Sequence, residues 1–259
     1  MYTAGIDIGS ATSKAVILKD DQIVAYHMME TGPQSQASAE VVMDGVLAKS
    51  RVRLNDLAAV VATGYGRINV TFASGVISEI ACHAKGVHFL FPKARTILDM
   101  GGQDCKAIRI DESGDHVDFT MNDKCAAGTG RFLEVMASLL RIPLDQIGPL
   151  SLQAKEDLKI SNVCTVFARS EVSRHLRQGV PKADILGGIH AAQAERVYGL
   201  IKRVGIQPEF VISGGIAKNI GVVKRLEQKI GLRAFISEEP QIIGAIGAAL
   251  FAGRLCRGA

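Results

Sequence analysis

The sequence predicts an α/β fold of two lobes, and three observations carry that prediction. A short apolar strand holding Asp7 runs into a glycine turn and a return strand, and the same unit recurs around Asp99. The register is shared: Asp7 precedes Gly9 by two positions and Lys14 by seven, and Asp99 precedes Gly101 by two and Lys106 by seven. Beyond each opening hairpin, strand-like and helix-like stretches alternate, which argues for a mostly parallel core.

In the first lobe, residues 4–8 are apolar apart from Asp7, residues 9–12 form the turn, and residues 14–18 return as a strand. Residues 22–28 supply a third strand. Val41, Val42, Val46 and Leu47 share one helical face and predict a helix over 37–49. A buried strand follows at 57–63, ending at Gly64-Tyr65-Gly66, then a helix at 78–88 that Pro92 closes. The second lobe opens with a strand at 96–100, the turn 101–104 and a return strand at 106–110. Helices are expected at 131–140, 151–155, 164–178 and 182–204. A strand at 210–213 ends at Gly214-Gly215, and a helix at 217–230, a short strand at 233–236 and a small-residue helix at 241–255 complete the chain. The expected lobes are 1–94 and 95–240, with the closing segment 241–259 packing back on the first.

Composition excludes several classes of function. The net charge is only +4 and no basic run carries interleaved aromatics, so nucleic-acid binding is not expected. The longest apolar stretch, 242–252, is too short and too glycine-rich to span a bilayer, and Asp7 interrupts any secretory leader. A cytoplasmic protein is expected. Cys82, Cys105, Cys125, Cys164 and Cys256 are odd in number and form no CxxC pair, which argues against a disulfide framework. With 27 glycines and few aromatics, backbone turns are the natural ligand-gripping elements.

Each hairpin has the chemistry of a phosphate site. Gly9 and Gly101 permit a tight turn with outward N–H groups. Ser10, Thr12 and Ser13 add hydroxyls, Lys14 adds a cation, and Gly102, Gln103 and Asp104 continue the second turn. A carboxylate at the end of an apolar strand is costly unless it serves a partner, and hydrated Mg²⁺ is such a partner for Asp7 and Asp99. Two such turns are expected to clamp the β- and γ-phosphates of ATP. No GxxxxGK[ST] motif is present, and the run from Gly128 to Leu133 lacks the last glycine of a dinucleotide fingerprint. Gly214 and Gly215, followed by Lys218, let a flat adenine ring approach the backbone. Gln241 is placed to reach the ribose or base. Read from spacing alone, each cysteine is best taken as a buried or inert thiol. The histidines show no metal-ligand spacing.

Paired Asp-Gly hairpins with a late Gly-Gly resemble the acetate and sugar kinase, heat-shock chaperone and actin superfamily, which implies actin-like, duplicated ribonuclease-H-like lobes. Within it, the segments Ala62–Arg67, Asp99–Asp104 and Asn122–Phe132 resemble the activator ATPases of (R)-2-hydroxyacyl-CoA dehydratases and the related ATPase subunits of benzoyl-CoA reductase. The resemblance runs end to end and is most specific around Cys125. It implies that Cys125 and Cys164 of two identical chains hold one 4Fe–4S cluster in a homodimer. It also implies that ferredoxin or flavodoxin supplies the electron and that a dehydratase or acyl-CoA reductase receives it. The cluster ligands are expected at helix starts, where the helix dipole favours an anionic thiolate. Cys82, Cys105 and Cys256 match no ligand position. Gly130 and Glu134 are expected to face the nucleotide. Asp99 with Gln103 or Asp104 is expected to orient the attacking water. A small-molecule kinase without a cluster, or an actin-like scaffold, stands as the alternative, because one fold hosts many functions.

Overall fold

A computed structural model of the chain describes residues 1–122 and 124–258. Contacts divide it into two compact units. The first comprises Met1–Arg95, Arg109–Val117 and the chain from Ser237 on; the second comprises Thr96–Ile108 and Asp118–Ile236.

The first unit is built on one sheet. β1 (Tyr2–Ile8), β2 (Thr12–Lys19) and β3 (Gln22–Glu30) form an antiparallel meander, and β4 (Leu57–Thr63) and β5 (Gly75–Val76) add to β1 in parallel, giving the order β3-β2-β1-β4-β5. Five of the seven β4 residues and six of the seven in β1 are buried, as expected of strands covered on both faces. α1 (Ser35–Ser50) covers one face through Ala39, Val42, Met43 and Val46. α2 (Glu79–Leu90) and α8 (Ile243–Arg257) cover the other, where Ile246 and Ala249 pack on Val16 and Leu18. The small residues of α8 are there for close approach. Any side chain on Gly5 would run into the α8 backbone at Ala245 and Ala249.

The second sheet has the same topology. β6 (Thr96–Met100), β7 (Cys105–Ile110) and β8 (His116–Asn122) come first, and β9 (Phe210–Ser213) and β10 (Ala234–Phe235) join β6 in parallel, giving β8-β7-β6-β9-β10. Both sheets therefore read third, second, first, fourth, fifth in chain order. The duplication inferred from the hairpins extends to a whole sheet. α3 (Gly130–Leu140), α4 (Leu144–Ser151), α5 (Thr165–Arg177), α6 (Lys182–Val204) and α7 (Ile220–Ile230) contribute to one core around Phe132, Met136, Ile147, Val172, Ile189 and Leu226.

Several expectations need correction. The helix expected at 151–155 instead occupies Leu144–Ser151, burying Ile147 and ending as Gln153 and Lys155 turn outward. The 217–230 helix is split. Gly215–Lys218 is a 3₁₀ turn, and α7 starts afresh because the Asn219 side chain accepts from the N–H groups of Gly221 and Val222. β5 and β8 were not expected. The first unit also takes in the Arg109–Val117 hairpin tip, where the buried Lys85 Nζ donates to Ser113 O at 2.8 Å.

Candidate functional site

In the first unit the β1–β2 turn is closed by Gly9 N donating to Thr12 O at 3.1 Å. Asp7 pairs in register with Lys14 on β2 and Thr63 on β4, and Lys14 Nζ lies 3.2 Å from Asp7 Oδ2. Asp7 is buried to 6% exposure, so this ion pair is poorly screened. Glycines let the backbone pack closely against its carboxylate. Gly64 sits at φ +88°, and a side chain there would collide with Asp7 Oδ1. A methyl group on Gly244 would lie 3.2 Å from Asp7 Oδ2 and 3.1 Å from His83 Nε2. Ser10 and Thr12 stay on the accessible side of the turn. Ser13 does not: it is fully buried, and its hydroxyl lies 2.8 Å from Thr31 Oγ1, which donates onward to Gly9 O at 2.8 Å. Ser13 and Thr31 thus brace the turn from beneath. Gln241 precedes α8, its N–H donating to Glu239 Oε1 at 3.1 Å.

The second turn repeats the first. Gly101 N donates to Asp104 O at 2.9 Å. Lys106 is buried and lies 3.5 Å from Asp99 Oδ2 and 2.7 Å from Asp104 Oδ2. Asp99 pairs in register with Ser213, whose hydroxyl donates to Asp99 Oδ1 at 2.9 Å. Gly214, at φ +82°, occupies the position that Gly64 holds in the first unit, and a side chain there would collide with Met100 O. Gly215–Lys218 follows directly, which brings the expected adenosine segment beside Asp99. The first turn of α3 docks on the same loop: Gly130 N donates to Gly101 O at 2.9 Å and Arg131 N to Gly102 O at 2.8 Å. Gln103 is exposed at the tip. Glu134 lies one turn along α3, paired at 3.0 Å with Arg131.

The cysteines divide clearly. Cys105 is fully buried, its thiol donating to Gly128 O at 2.7 Å, and burial raises its pKa well above the ordinary thiol value. Burial pushes Cys82 up to about 12. Cys125 and Cys164 are half-buried and close in space, with Cys125 Sγ 3.7 Å from the carbonyl of Val163, the residue before Cys164. Cys164 is the N-cap of α5, as expected. Cys125 is not at a helix start. It lies in a loop five residues ahead of Gly130, because the carbonyls after it are engaged elsewhere: Asn122 Nδ2 donates at 2.9 Å to both Cys125 O and Ala127 O. Asp123, inside the quoted motif, lies outside the described residues.

Among the described residues no group of three or more His, Cys, Asp or Glu side chains is arranged to hold a metal alone. The donors nevertheless suit the expected groups. Asp7 in the first unit and Asp99 in the second are each a hard oxygen donor of the kind Mg²⁺ takes when water and phosphate complete its shell. Cys125 and Cys164 are two half-buried thiols close in space, the donor type that an iron–sulfur cubane takes four of. Among the residues that shape the site, sequence reasoning missed Thr31, His83, Asn122 and Ser213. Ser213 left a signal, standing directly before the Gly-Gly pair, and so did Asn122, the first residue of the segment that resembles the activator ATPases.

No helix among the described residues is long and apolar enough to cross a membrane. The chain is 49% identical over 253 residues to the activator of lactoyl-CoA dehydratase of Anaerotignum propionicum, covering 97% of each chain. It superimposes with a TM-score of 0.95 and 43% identity on the activator of the 2-hydroxyisocaproyl-CoA dehydratase from Clostridium difficile with bound ADPNP, covering 100% of this chain and 96% of that one. Against component A of (R)-2-hydroxyglutaryl-CoA dehydratase from Acidaminococcus fermentans the TM-score is 0.96 at 42% identity, covering 99% of each. A glucokinase of the ROK family from Streptomyces griseus shares the fold alone, at a TM-score of 0.59, 12% identity and coverage of 98% of this chain and 100% of that one. Residues 4–252 match the profile of the BadF/BadG/BcrA/BcrD ATPase family, and the chain belongs to that family.

Proposed function

We propose that this ATPase is the activator of a 2-hydroxyacyl-CoA dehydratase, delivering one low-potential electron to it at the expense of ATP. The observation that carries this reading is the placing of Cys125 against the residue before Cys164, in the same unit as the Asp99 turn. A nucleotide-binding turn and two accessible thiols are then parts of one body. The A. propionicum and C. difficile relatives are named as activators of such dehydratases, which supports the same partner class here.

In this reading the N–H groups of the two turns, with Lys14 and Lys106, hold the phosphates of ATP. Asp7 and Asp99 hold Mg²⁺ through water, and Ser213 fixes the Asp99 carboxylate by its hydrogen bond. Gly214, Gly215, Lys218, Gly130, Glu134 and Gln241 accommodate the nucleoside. Gln103 and Asp104, at the tip of the second turn, orient the attacking water. Cys125 and Cys164 from each of two copies supply four thiolates, consistent with a two-fold homodimer. The 4Fe–4S cluster, when bound, supplies one-electron chemistry, loaded by ferredoxin or flavodoxin.

The test is anoxic purification followed by iron and sulfide analysis, with about four of each expected per two chains. The purified protein should turn on a 2-hydroxyacyl-CoA dehydratase only with ATP and a reductant. An iron-free, oxygen-stable preparation that phosphorylates a small acceptor would instead make the chain a kinase.

A further inference from the structure

The second unit contains a continuous set of hydrogen bonds between the Asp99 turn and the Cys125 loop. At one end, Gly101 O and Gly102 O accept from the first two N–H groups of α3. The residue before α3 is Thr129, whose hydroxyl donates at 2.8 Å to Ala126 O, one residue from Cys125. Every carbonyl from Cys125 to Thr129 therefore has a donor: Asn122 Nδ2 serves Cys125 O and Ala127 O, Thr129 serves Ala126 O, Cys105 serves Gly128 O, and Thr129 O accepts from Phe132 N at 3.2 Å and from Gln193 Nε2 at 3.4 Å. A loop with all its carbonyls engaged moves as a body rather than by local bending.

Gln193 is the informative member. It lies on α6 at 1% exposure, and its Oε1 has no hydrogen-bond partner among the described residues. A buried amide oxygen without a partner is destabilising, and a methionine of similar shape would avoid that cost. A packing role alone does not account for an amide at this position, whereas a second donor tying α6 to the Thr129 carbonyl at the start of α3 does.

We infer that Asn122 and Gln193 are positioning residues that couple the nucleotide turn to Cys125. They lock the 125–129 loop to α3, so a displacement of the Gly101–Gly102 carbonyls by bound nucleotide is transmitted to the Cys125 thiol. The inference rests on the proposed cluster role of Cys125, but its test reads the thiol as well as the cluster.

Full-length wild type, Asn122→Ala and Gln193→Met are each assayed with and without saturating Mg²⁺–ADP or a non-hydrolysable ATP analogue. One arm follows iron release from the anoxically purified protein to a chelator. The other follows alkylation of Cys125 in the iron-free full chain by peptide mass mapping, with the exposed Cys256 as internal reference. In the wild type, nucleotide should change both rates at least about fivefold, the lower end of ordinary allosteric coupling. Both substitutions should reduce that response to less than about twofold. Gln193→Met should do so without lowering the melting temperature, which separates coupling from folding should Asn122→Ala prove unstable. A wild-type response retained in Gln193→Met overturns the inference, as does a wild-type Cys125 that is indifferent to nucleotide while the protein hydrolyses ATP. A preparation without iron overturns the cluster reading instead, and the alkylation arm still decides the coupling.

Discussion

The Ser213 hydroxyl donates a 2.9 Å hydrogen bond to Oδ1 of Asp99, and Ser213 stands on the strand neighbouring Asp99 where Thr63 stands beside Asp7. The two units thus repeat a carboxylate, a lysine seven residues on, a hydroxyl residue across the parallel pair, and a glycine at positive φ after it. Hydrogen bonds to charged groups contribute about 1.5–3 kcal/mol. Ser213→Ala should therefore lower ATP turnover by about tenfold or more and lower the melting temperature by several degrees, since Asp99 is buried and loses a partner, as steady-state hydrolysis and a thermal melt will show.

Gly214 tests the same geometry from the backbone. Alanine there would have to adopt φ +82° and would meet Met100 O and Asp99 Oδ1, the latter at 3.0 Å. Backbone strain of this kind costs about 1–3 kcal/mol before any collision is counted. Gly214→Ala should reduce stability by at least that amount in urea unfolding and abolish detectable nucleotide binding. Gly231→Ala has the same sign of φ but open space around it, and should lose stability only.

The cysteines give a clean contrast. Cys125→Ala and Cys164→Ala should each lose most bound iron in anoxic preparations, and so should show no reduced-cluster spin signal. Cys256→Ala should retain both, since Cys256 is exposed near the end of α8. Iron retained in full by Cys125→Ala would contradict the shared-ligand reading.

His190 sets an acid limit on stability. It is fully buried on α6, its ring nitrogens lie 2.8 Å from Leu186 O and 3.1 Å from Asn219 Oδ1, to one of which the neutral ring donates, and burial lowers its pKa to about 4 against a normal 6.5. Arg225, itself paired with Asp157, adds to the lowering. The unfolded chain therefore takes up the proton first. The neutral ring is no handicap above pH 6.5, and stability falls as the pH drops from 6.5 towards 4. Between pH 7 and pH 5 this one group should remove about 2 kcal/mol, and a His190→Leu variant should show a correspondingly flatter profile in urea melts.

How much of this was legible in the sequence depends on the element. The hairpins were, because the Asp-x-Gly and Asp-to-Lys spacings are local and repeat. β8 was not. It alternates Val117, Phe119 and Met121 with polar residues, yet all three apolar side chains are exposed, so its pattern marks no core-facing stripe. α4 carries Pro149 inside it, a residue that argues against a helix. The start of α7 was readable from Asn219 as a capping residue, but Gly214-Gly215 drew the boundary too early. Within the site, Thr31 and Asn122 act through side-chain bonds to turn carbonyls. Such contacts depend on where the chain returns in space, and no spacing in the sequence announces them.

In the proposed function Asp7 and Asp99 both serve one magnesium-bound ATP. The most direct measurement is steady-state ATP hydrolysis by anoxically purified Asp7→Asn and Asp99→Asn, each also assayed for Mg²⁺-dependent ATP binding. Each substitution alone should lower turnover by about 100-fold or more, as loss of a preorganised electrostatic group at a reacting phosphate does. Wild-type hydrolysis in either variant would contradict the account.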